Sequence, residues 1–226
     1  MKPDDSWLDA MWPFVRDNLP ASPATVLEIG CGPLGGFVPM LRSEGYDAVG
    51  VDPEAPNGHD YQQTEFERHI PPSQVDVVVA STSLHHVRDL GEVLDAVSTA
   101  FAPGGTLIVL EWASERFDAA TAQWCFERLP AAESHDEANW LQRHRDHWQA
   151  SDQPWDAFFQ AWLQEESLHP SDDILRELDL RFEQKNCRFG PYCFPALPGT
   201  TMDDEQMAID ENRIQATAVQ YTAVRR

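Results

Sequence analysis

The sequence predicts an α/β fold on a doubly wound, mostly parallel sheet, with an antiparallel pair of strands at its C-terminal edge and a helical insertion. Three observations carry this expectation. Apolar runs of strand length alternate with helix-like segments through the first half of the chain. A tryptophan-rich stretch without any strand-like run then interrupts the pattern, and two alternating stretches close the chain. Strands apolar at nearly every position suit a parallel sheet covered on both faces.

Taken in order, Trp7, Leu8, Met11, Trp12, Phe14 and Val15 fall at helical spacing and predict an amphipathic helix that either docks on core or lies as a lid over a pocket. Thr25 to Ile29 and Ala48 to Val51 predict the first two strands, with a helix from Leu34 to Glu44 between them that Gly45 stops. Only Pro53 to Asp60 precede the next candidate strand, too few residues for a crossover helix, so Tyr61 to Phe66 is expected to serve as third strand and turn. Val75 to Ala80 and Thr106 to Leu110 predict the fourth and fifth strands, joined by a helix over Asp89 to Phe101 that Pro103-Gly104-Gly105 closes. From Asp118 to Glu177, tryptophans at 124, 140, 148, 155 and 162 recur at helix-like spacing and predict a helical insertion inside a single domain spanning 1–226. Phe182 to Phe189 and Ile214 to Val224 alternate as strands and bring the total to seven, separated by a loop rich in Pro, Gly and Asp.

Composition narrows the partners. With 38 Asp and Glu against 16 Lys and Arg, the formal charge of −22 repels phosphate backbones and anionic lipid, which argues against nucleic-acid and membrane-surface substrates. The polar N-terminal residues and the lack of any long apolar run predict a cytoplasmic protein. Cysteines at 31, 125, 187 and 193 form no Cys-x-x-Cys pair, so neither a structural zinc nor a disulfide framework is expected, and no metal site is assigned.

The chemistry concentrates at Val26-Leu27-Glu28-Ile29-Gly30-Cys31-Gly32-Pro33-Leu34-Gly35, where an apolar strand runs into Gly-x-Gly-x-x-Gly and then a helix. Glycines at 30 and 32 let the backbone turn tightly and approach a ligand, and the helix start adds free N–H groups. Asp52 ends the second strand, where a carboxylate can accept hydrogen bonds from both hydroxyls of a ribose. Alone, glycines mark turns and an Asp after a strand caps a helix; in this order they predict a nucleotide cofactor, either nicotinamide dinucleotide or S-adenosylmethionine.

Further residues favour the second. Val26 to Gly32 resembles motif I of class I methyltransferases, in which an acidic residue sits where Glu28 does. Val75-Asp76-Val77-Val78-Val79-Ala80-Ser81-Thr82-Ser83-Leu84-His85-His86-Val87 is similar to their fourth strand and its loop, and Phe101-Ala102-Pro103-Gly104-Gly105-Thr106-Leu107-Ile108-Val109 to their turn into the fifth strand. The resemblance covers Thr25 to Glu111. It implies S-adenosylmethionine as cofactor, S-adenosylhomocysteine as product, and an antiparallel hairpin of sixth and seventh strands. By matching position it places Glu28, Gly30, Cys31 and Gly32 in the loop at the methionine and sulfonium end, Asp52 at the ribose, and Pro53 beside the adenine. Ser81 and Thr82 fall near the transferred methyl, and Glu65 and Phe66 at the adenine edge.

A sulfonium already activates its methyl group, so such a protein must align the acceptor, exclude water and, for oxygen or nitrogen acceptors, supply a base. His85, in the loop after the fourth strand, and His144, on the insertion, are the candidates; His135, His144 and His147 also fit a solvated helix face, and a His85-His86 pair also fits plain loop packing. The insertion's tryptophans suit either core or an aromatic pocket. No Asp/Asn-Pro-Pro-aromatic tetrapeptide follows the fourth strand, which argues against nucleic-acid bases as acceptors. The expected activity is O- or N-methylation of a small molecule by a protein free to form homo-oligomers. The alternatives are a nicotinamide-dependent oxidoreductase and a non-catalytic S-adenosylmethionine-binding partner protein.

Overall fold

The computed structural model describes residues 5–66, 74–130 and 139–226. Helix α1 (Asp5–Asp17) precedes β1 (Thr25–Ile29), α2 (Val38–Ser43), β2 (Asp47–Val51), β3 (Tyr61–Gln62) and β4 (Val75–Ser81). Then follow α3 (Leu90–Ala100), β5 (Phe101–Trp112), α4 (Ala119–Phe126), α5 (Trp140–Ala150), α6 (Trp155–Glu165) and α7 (Ser171–Arg181). The chain closes with β6 (Phe182–Gly190), α8 (Met202–Asp210) and β7 (Ala218–Arg225). The strands form one seven-stranded sheet in the order β3-β2-β1-β4-β5-β7-β6. β1 to β5 are parallel, while β7 runs antiparallel to both β5 and β6.

Alternation along the strands builds two cores. Val26, Val77, Val79, Ile108 and Leu110 point to one face, where α1, α2 and the α4–α6 helices pack. Leu27, Ile29, Val78, Ala80, Leu107 and Val109 point to the other, covered by α3 and α7. Both sets are almost fully buried, as a doubly covered parallel sheet requires. α1 docks Trp7, Leu8, Met11, Phe14 and Val15 into the first core, which is the covering role rather than the lid.

β5 starts at Phe101 rather than Thr106, so Pro103-Gly104-Gly105 lies within the strand instead of closing the helix before it. Four other local departures from the sequence reading have physical causes. α2 starts at Val38 rather than Leu34, because Gly35 (φ +87°) and Gly36 (φ +57°) hold the preceding residues in turns. The third strand is two residues long: Gly50 and Val51 pair with Tyr61 and Gln62, and Thr64 to Phe66 lie beyond it. The loop expected between the last strands contains α8, started by a reciprocal cap in which Thr201 and Asp204 bond each other's backbone and side chain. Finally, β7 begins at Ala218, since Gln215 donates its N–H to Thr121 Oγ1 (2.9 Å) and Thr217 accepts from the Ala113 N–H (2.8 Å) instead of pairing with β6.

α8 earns its place through Glu205, which is fully buried and accepts the N–H groups of Tyr192, Cys193 and Phe194 at 2.9, 3.1 and 2.6 Å. That clamp fixes the turn after β6 beside the sheet's C-terminal end. Among the described residues no helix is long and apolar enough to cross a membrane.

Candidate active site

The loop after β1 is shaped by its neighbours before any ligand arrives. Gly30 (φ +80°) donates its N–H to Val51 O at 2.8 Å, and a Cβ there would fall 2.3 Å from Ser83 Cβ, so the loop after β4 packs directly on it. Glu28 is fully buried, both carboxyl oxygens accept the Phe37 N–H (3.1 and 2.8 Å), and a Cβ on Gly36 would fall 2.2 Å from Oε1. Glu28 thus folds the loop from behind. Burial pushes its carboxyl up to about 8, against the opposing backbone bonds from Phe37 and Val38 and with help from Asp52. The buried Cys31 thiol is likewise pushed up, first by burial and then by the charges of Glu28 and Asp52, which keeps it protonated.

In contrast to Gly30, nothing lies within 4 Å of the Cβ that Gly32 (φ +63°) lacks, so the backbone there faces open space. Asp52 stands half-buried at the end of β2, with Oδ1 accepting the Glu54 N–H at 2.7 Å. Pro53 and Glu65 are exposed near the same sheet edge, whereas the Phe66 ring is buried in the core with Leu27 and Val51. At the end of β4 the hydroxyls of Ser81 and Thr82 are buried without a hydrogen-bond partner, and Thr82 takes φ +47°, a strained backbone for a β-branched residue. Unpaired hydroxyls and an open glycine at the carboxyl ends of adjacent strands, where the strand order reverses between β1 and β4, fit a nucleoside cofactor with a polar tail.

Immediately beyond, the loop carries a buried histidine–carboxylate pair. Glu111 on β5 is 1% exposed, and its Oε1 accepts the N–H groups of Ser83 (2.8 Å) and Leu84 (2.6 Å). Its Oε2 accepts the Trp112 N–H (3.0 Å) and lies 2.6 Å from Nδ1 of His85. Burial alone would push this carboxyl up, but the charge and hydrogen bond of His85 outweigh it, aided by the backbone donors, and hold it below its ordinary 4.5. Beside an ionised Glu111, a neutral His85 ring carries its proton on Nδ1, which makes Nε2 the lone-pair acceptor. That Nε2 is buried and has no hydrogen-bond partner.

His85 and Trp112 form the floor of a cavity of about 260 Å³. One wall is the face of α5 carrying Trp140, Arg143, His144 and His147, which recur at i, i+3, i+4 and i+7. The other comes from Trp162 and Glu166 at the end of α6, with Leu168 behind them. Trp112 stacks on Tyr192 (5.9 Å between centroids, planes 10° apart) and meets Trp140 edge-on at 5.5 Å, tying the cavity floor to the turn that Glu205 clamps. The insertion's tryptophans therefore divide, with Trp155 and Trp124 in core and Trp140 and Trp162 at the cavity.

Both histidines singled out from sequence reach this cavity. His144 is 8% exposed and sits edge-on to Trp162 at 4.3 Å; burial first, then His147 and Arg143, pull its pKa down to about 4. His86, 4.1 Å from the His85 ring, is pulled down to about 4 by desolvation and by His85 although its ring keeps solvent contact. His169 anchors the loop, donating its backbone N–H to His85 O (3.0 Å) and placing Nε2 2.9 Å from Val87 O. His135 lies outside the described residues. Among the described residues no group of three or more His, Cys, Asp or Glu could hold a metal.

Sequence reasoning passed over Glu111, Trp112 and Arg143. A carboxylate closing the apolar run Leu107 to Leu110 was the available signal for Glu111, since an ion at the end of a buried strand needs partners.

A family model described as "Methyltransferase domain" matches residues 7–166. A ubiquinone biosynthesis O-methyltransferase from Bradyrhizobium sp. (strain ORS 278) is 32% identical over 122 residues, 46% of this chain and 48% of the relative. The chain spans about half the length of the curated relatives it matches. Among solved structures, an S-adenosylmethionine-dependent methyltransferase from Mesorhizobium loti superposes with a TM-score of 0.58 at 18% identity, covering 96% of this chain and 100% of its own. The N-methyltransferase NodS from Bradyrhizobium japonicum WM9, in complex with S-adenosylhomocysteine, gives 0.52 at 13% identity, covering 98% and 89%.

Proposed function

Because this chain belongs to the methyltransferase-domain family, we propose that it transfers the methyl group of S-adenosylmethionine to a small aromatic acceptor in the tryptophan-lined cavity, at oxygen in preference to nitrogen. The observation that carries this reading is His85, oriented by the ionised Glu111 with Nε2 free to accept a proton. The name of the Bradyrhizobium relative supports oxygen as the acceptor atom. Bound S-adenosylmethionine supplies a methyl group already activated on a sulfonium, so the protein's work is positioning, proton removal and exclusion of water.

Each residue has a part in that work. Asp52 accepts the two ribose hydroxyls. The backbone of Gly30, Cys31 and Gly32 admits the cofactor at close range, with Glu28 holding the loop in shape. Ser81 and Thr82 offer their unpaired hydroxyls to the methionine end. Pro53 and Glu65 border the adenine, Phe66 supporting that edge from the core. His85 takes the proton of the acceptor hydroxyl at Nε2, and the resulting imidazolium is stabilised by Glu111. His144, held neutral by burial, shapes the aromatic wall instead of titrating near neutrality.

A carboxylate fully engaged in setting a histidine tautomer favours a catalyst over a non-catalytic cofactor-binding partner. The charge of −22 keeps nucleic acid out of the acceptor role, and a cytoplasmic location completes the reading. The test is methyl transfer from labelled S-adenosylmethionine to a panel of phenols, with His85→Ala and His85→Gln beside the native protein. Turnover is expected to fall about 10²- to 10⁴-fold while S-adenosylhomocysteine affinity is nearly unchanged. Undiminished turnover in both variants removes His85 from the chemistry.

A further inference from the structure

The floor and the wall of the cavity each carry a buried imidazole, and the two are held differently. On the floor, His85 is tied through Nδ1 to Glu111 and keeps only Nε2 for a ligand. On the wall, His144 is 8% exposed and lines the cavity through ring contacts alone. Trp140, Phe159 and Trp162 meet its ring nearly at right angles (82°, 81° and 82°), with centroids 5.7, 5.8 and 4.3 Å away. Among the described residues neither ring nitrogen of His144 has a hydrogen-bond partner.

An apolar side chain would fill such an aromatic cage without leaving polar atoms unpaired, so a histidine there calls for a partner from outside the protein. Burial holds the ring neutral, its pKa pulled down to about 4. A neutral imidazole offers one N–H donor and one lone-pair acceptor, and can therefore meet a carbonyl, an amide or a hydroxyl. The three flanking rings fix its plane in advance, which lowers the ordering cost of such a contact. His144 stands one helical turn after Trp140 on the wall-forming face of α5. The cavity volume of about 260 Å³ lies just below the usual range of ligand pockets, about 300–1,000 Å³, so an aromatic ring that touches the floor at His85 meets the wall as well.

We infer, resting on the methyl-transfer reading above, that the acceptor carries a second hydrogen-bonding substituent beside the hydroxyl that His85 deprotonates, and that His144 binds this substituent from the wall. The acceptor class is then a phenol bearing a carbonyl, an amide or another hydroxyl. His144 is here a specificity residue: it selects the substituent and sets the orientation of the ring, and it leaves the proton removal to His85. A phenol of the same shape with an apolar substituent seals the imidazole off unpaired and is disfavoured for that reason.

Calorimetric titration in saturating S-adenosylhomocysteine tests this with two shape-matched pairs: 3-hydroxybenzamide against 3-isopropylphenol, and 4-hydroxybenzamide against 4-isopropylphenol. The amide-to-isopropyl affinity ratio of at least one pair is expected to fall about tenfold in His144→Phe, which keeps a ring in the cage and removes both nitrogens. In His144→Gln, which keeps a donor and an acceptor, the ratio should stay near the native value. Taking the ratio within a pair cancels packing changes that both members feel. Thermal melts verify folding, and His144→Leu gives the same reading where the phenyl ring is not accommodated. A ratio unchanged for both pairs in His144→Phe and His144→Leu, an equal fall in His144→Gln, or binding of none of the four probes by the native protein would each overturn the inference. The S-adenosylhomocysteine titration of the same samples reports separately on the cofactor site, so a failure of acceptor class is distinguishable from a failure of the methyltransferase reading.

Discussion

Replacing Glu111 by Gln keeps the shape of the side chain while removing its charge, and the structure sets the size of the effect. The carboxylate meets donors only: the N–H groups of Ser83 and Leu84 at one oxygen, and Trp112 N–H and His85 Nδ1 at the other. A glutamine offers one carbonyl oxygen and one NH₂, so either the Ser83 and Leu84 N–H groups face another donor, or the Trp112 N–H does and His85 must move its proton to Nε2 for Nδ1 to accept. Losing two hydrogen bonds to a buried charge, each about 1.5–3 kcal/mol, predicts a destabilisation of about 3–6 kcal/mol. For a chain of this size that lowers the melting temperature by about 6–24 °C. The pH dependence has a definite sign. Because the folded carboxyl is held below its ordinary 4.5, its stabilisation is fully present above that value and fades as pH falls through the folded pKa. The gap between native protein and Glu111→Gln should therefore stay constant from neutral pH down to the ordinary glutamate value and narrow only below it. Thermal melts across that range provide the assay. A variant that melts within a degree or two of the native protein at pH 7 would show that Glu111 neither holds the 83–85 loop nor orients His85.

Other outcomes follow from the same geometry. Gly36→Ala forces φ +57° on a residue with a Cβ and drives that carbon onto Glu28 Oε1, so it should melt far below the native protein or fail to fold; equal stability would mean that Glu28 does not shape the loop. His144 is pulled from 6.5 to about 4 by burial, so the unfolded chain binds its proton first and stability should drop by about 3 kcal/mol as pH falls through that window. His144→Gln should flatten that slope in denaturant titrations, leaving the part due to His86, and an unchanged slope would contradict the burial. Glu205→Gln should release the turn carrying Tyr192 and lower the melting temperature by several degrees, detectable also as altered near-UV circular dichroism from Trp112.

The sheet was legible because its strands are covered on both faces, and such strands are written as nearly continuous apolar runs: Val26 to Ile29, interrupted only by Glu28, Val75 to Ala80, interrupted only by Asp76, and Leu107 to Leu110 all lie where the sequence puts them. The glycine loop and Asp52 were legible for a related reason, since positive φ and a strand-end carboxylate leave fixed offsets in the sequence. α8 was missed because its start signal, Thr201 capped with Asp204, sits in a segment whose Pro and Gly content reads as loop, and because its buried residues, Glu205 and Ala208, are a carboxylic acid and a small side chain that leave little apolar pattern. The start of α2 was placed too early because the hydrophobic pattern of Phe37, Met40 and Leu41 carries no record of the turn that Glu28 imposes on Gly36. Glu111 and Arg143 escaped for a deeper reason: what gives each its place in the site comes from distant parts of the chain. Apart from the adjacent Trp112 N–H, the groups bonded to Glu111 stand 26 to 28 residues earlier, and the polar face of α5 becomes a wall only once the insertion folds over Trp112.

The central claim is a site for S-adenosylmethionine built on the β1 loop and Asp52, and the most direct test is calorimetric titration of the purified protein with S-adenosylhomocysteine and with NADH, using Asp52→Ala as control. Loss of charge-assisted bonds to the ribose predicts S-adenosylhomocysteine binding about ten- to a hundredfold weaker in Asp52→Ala, with no NADH binding to either protein. Binding of NADH in place of S-adenosylhomocysteine, or S-adenosylhomocysteine affinity untouched by the loss of Asp52, would contradict it.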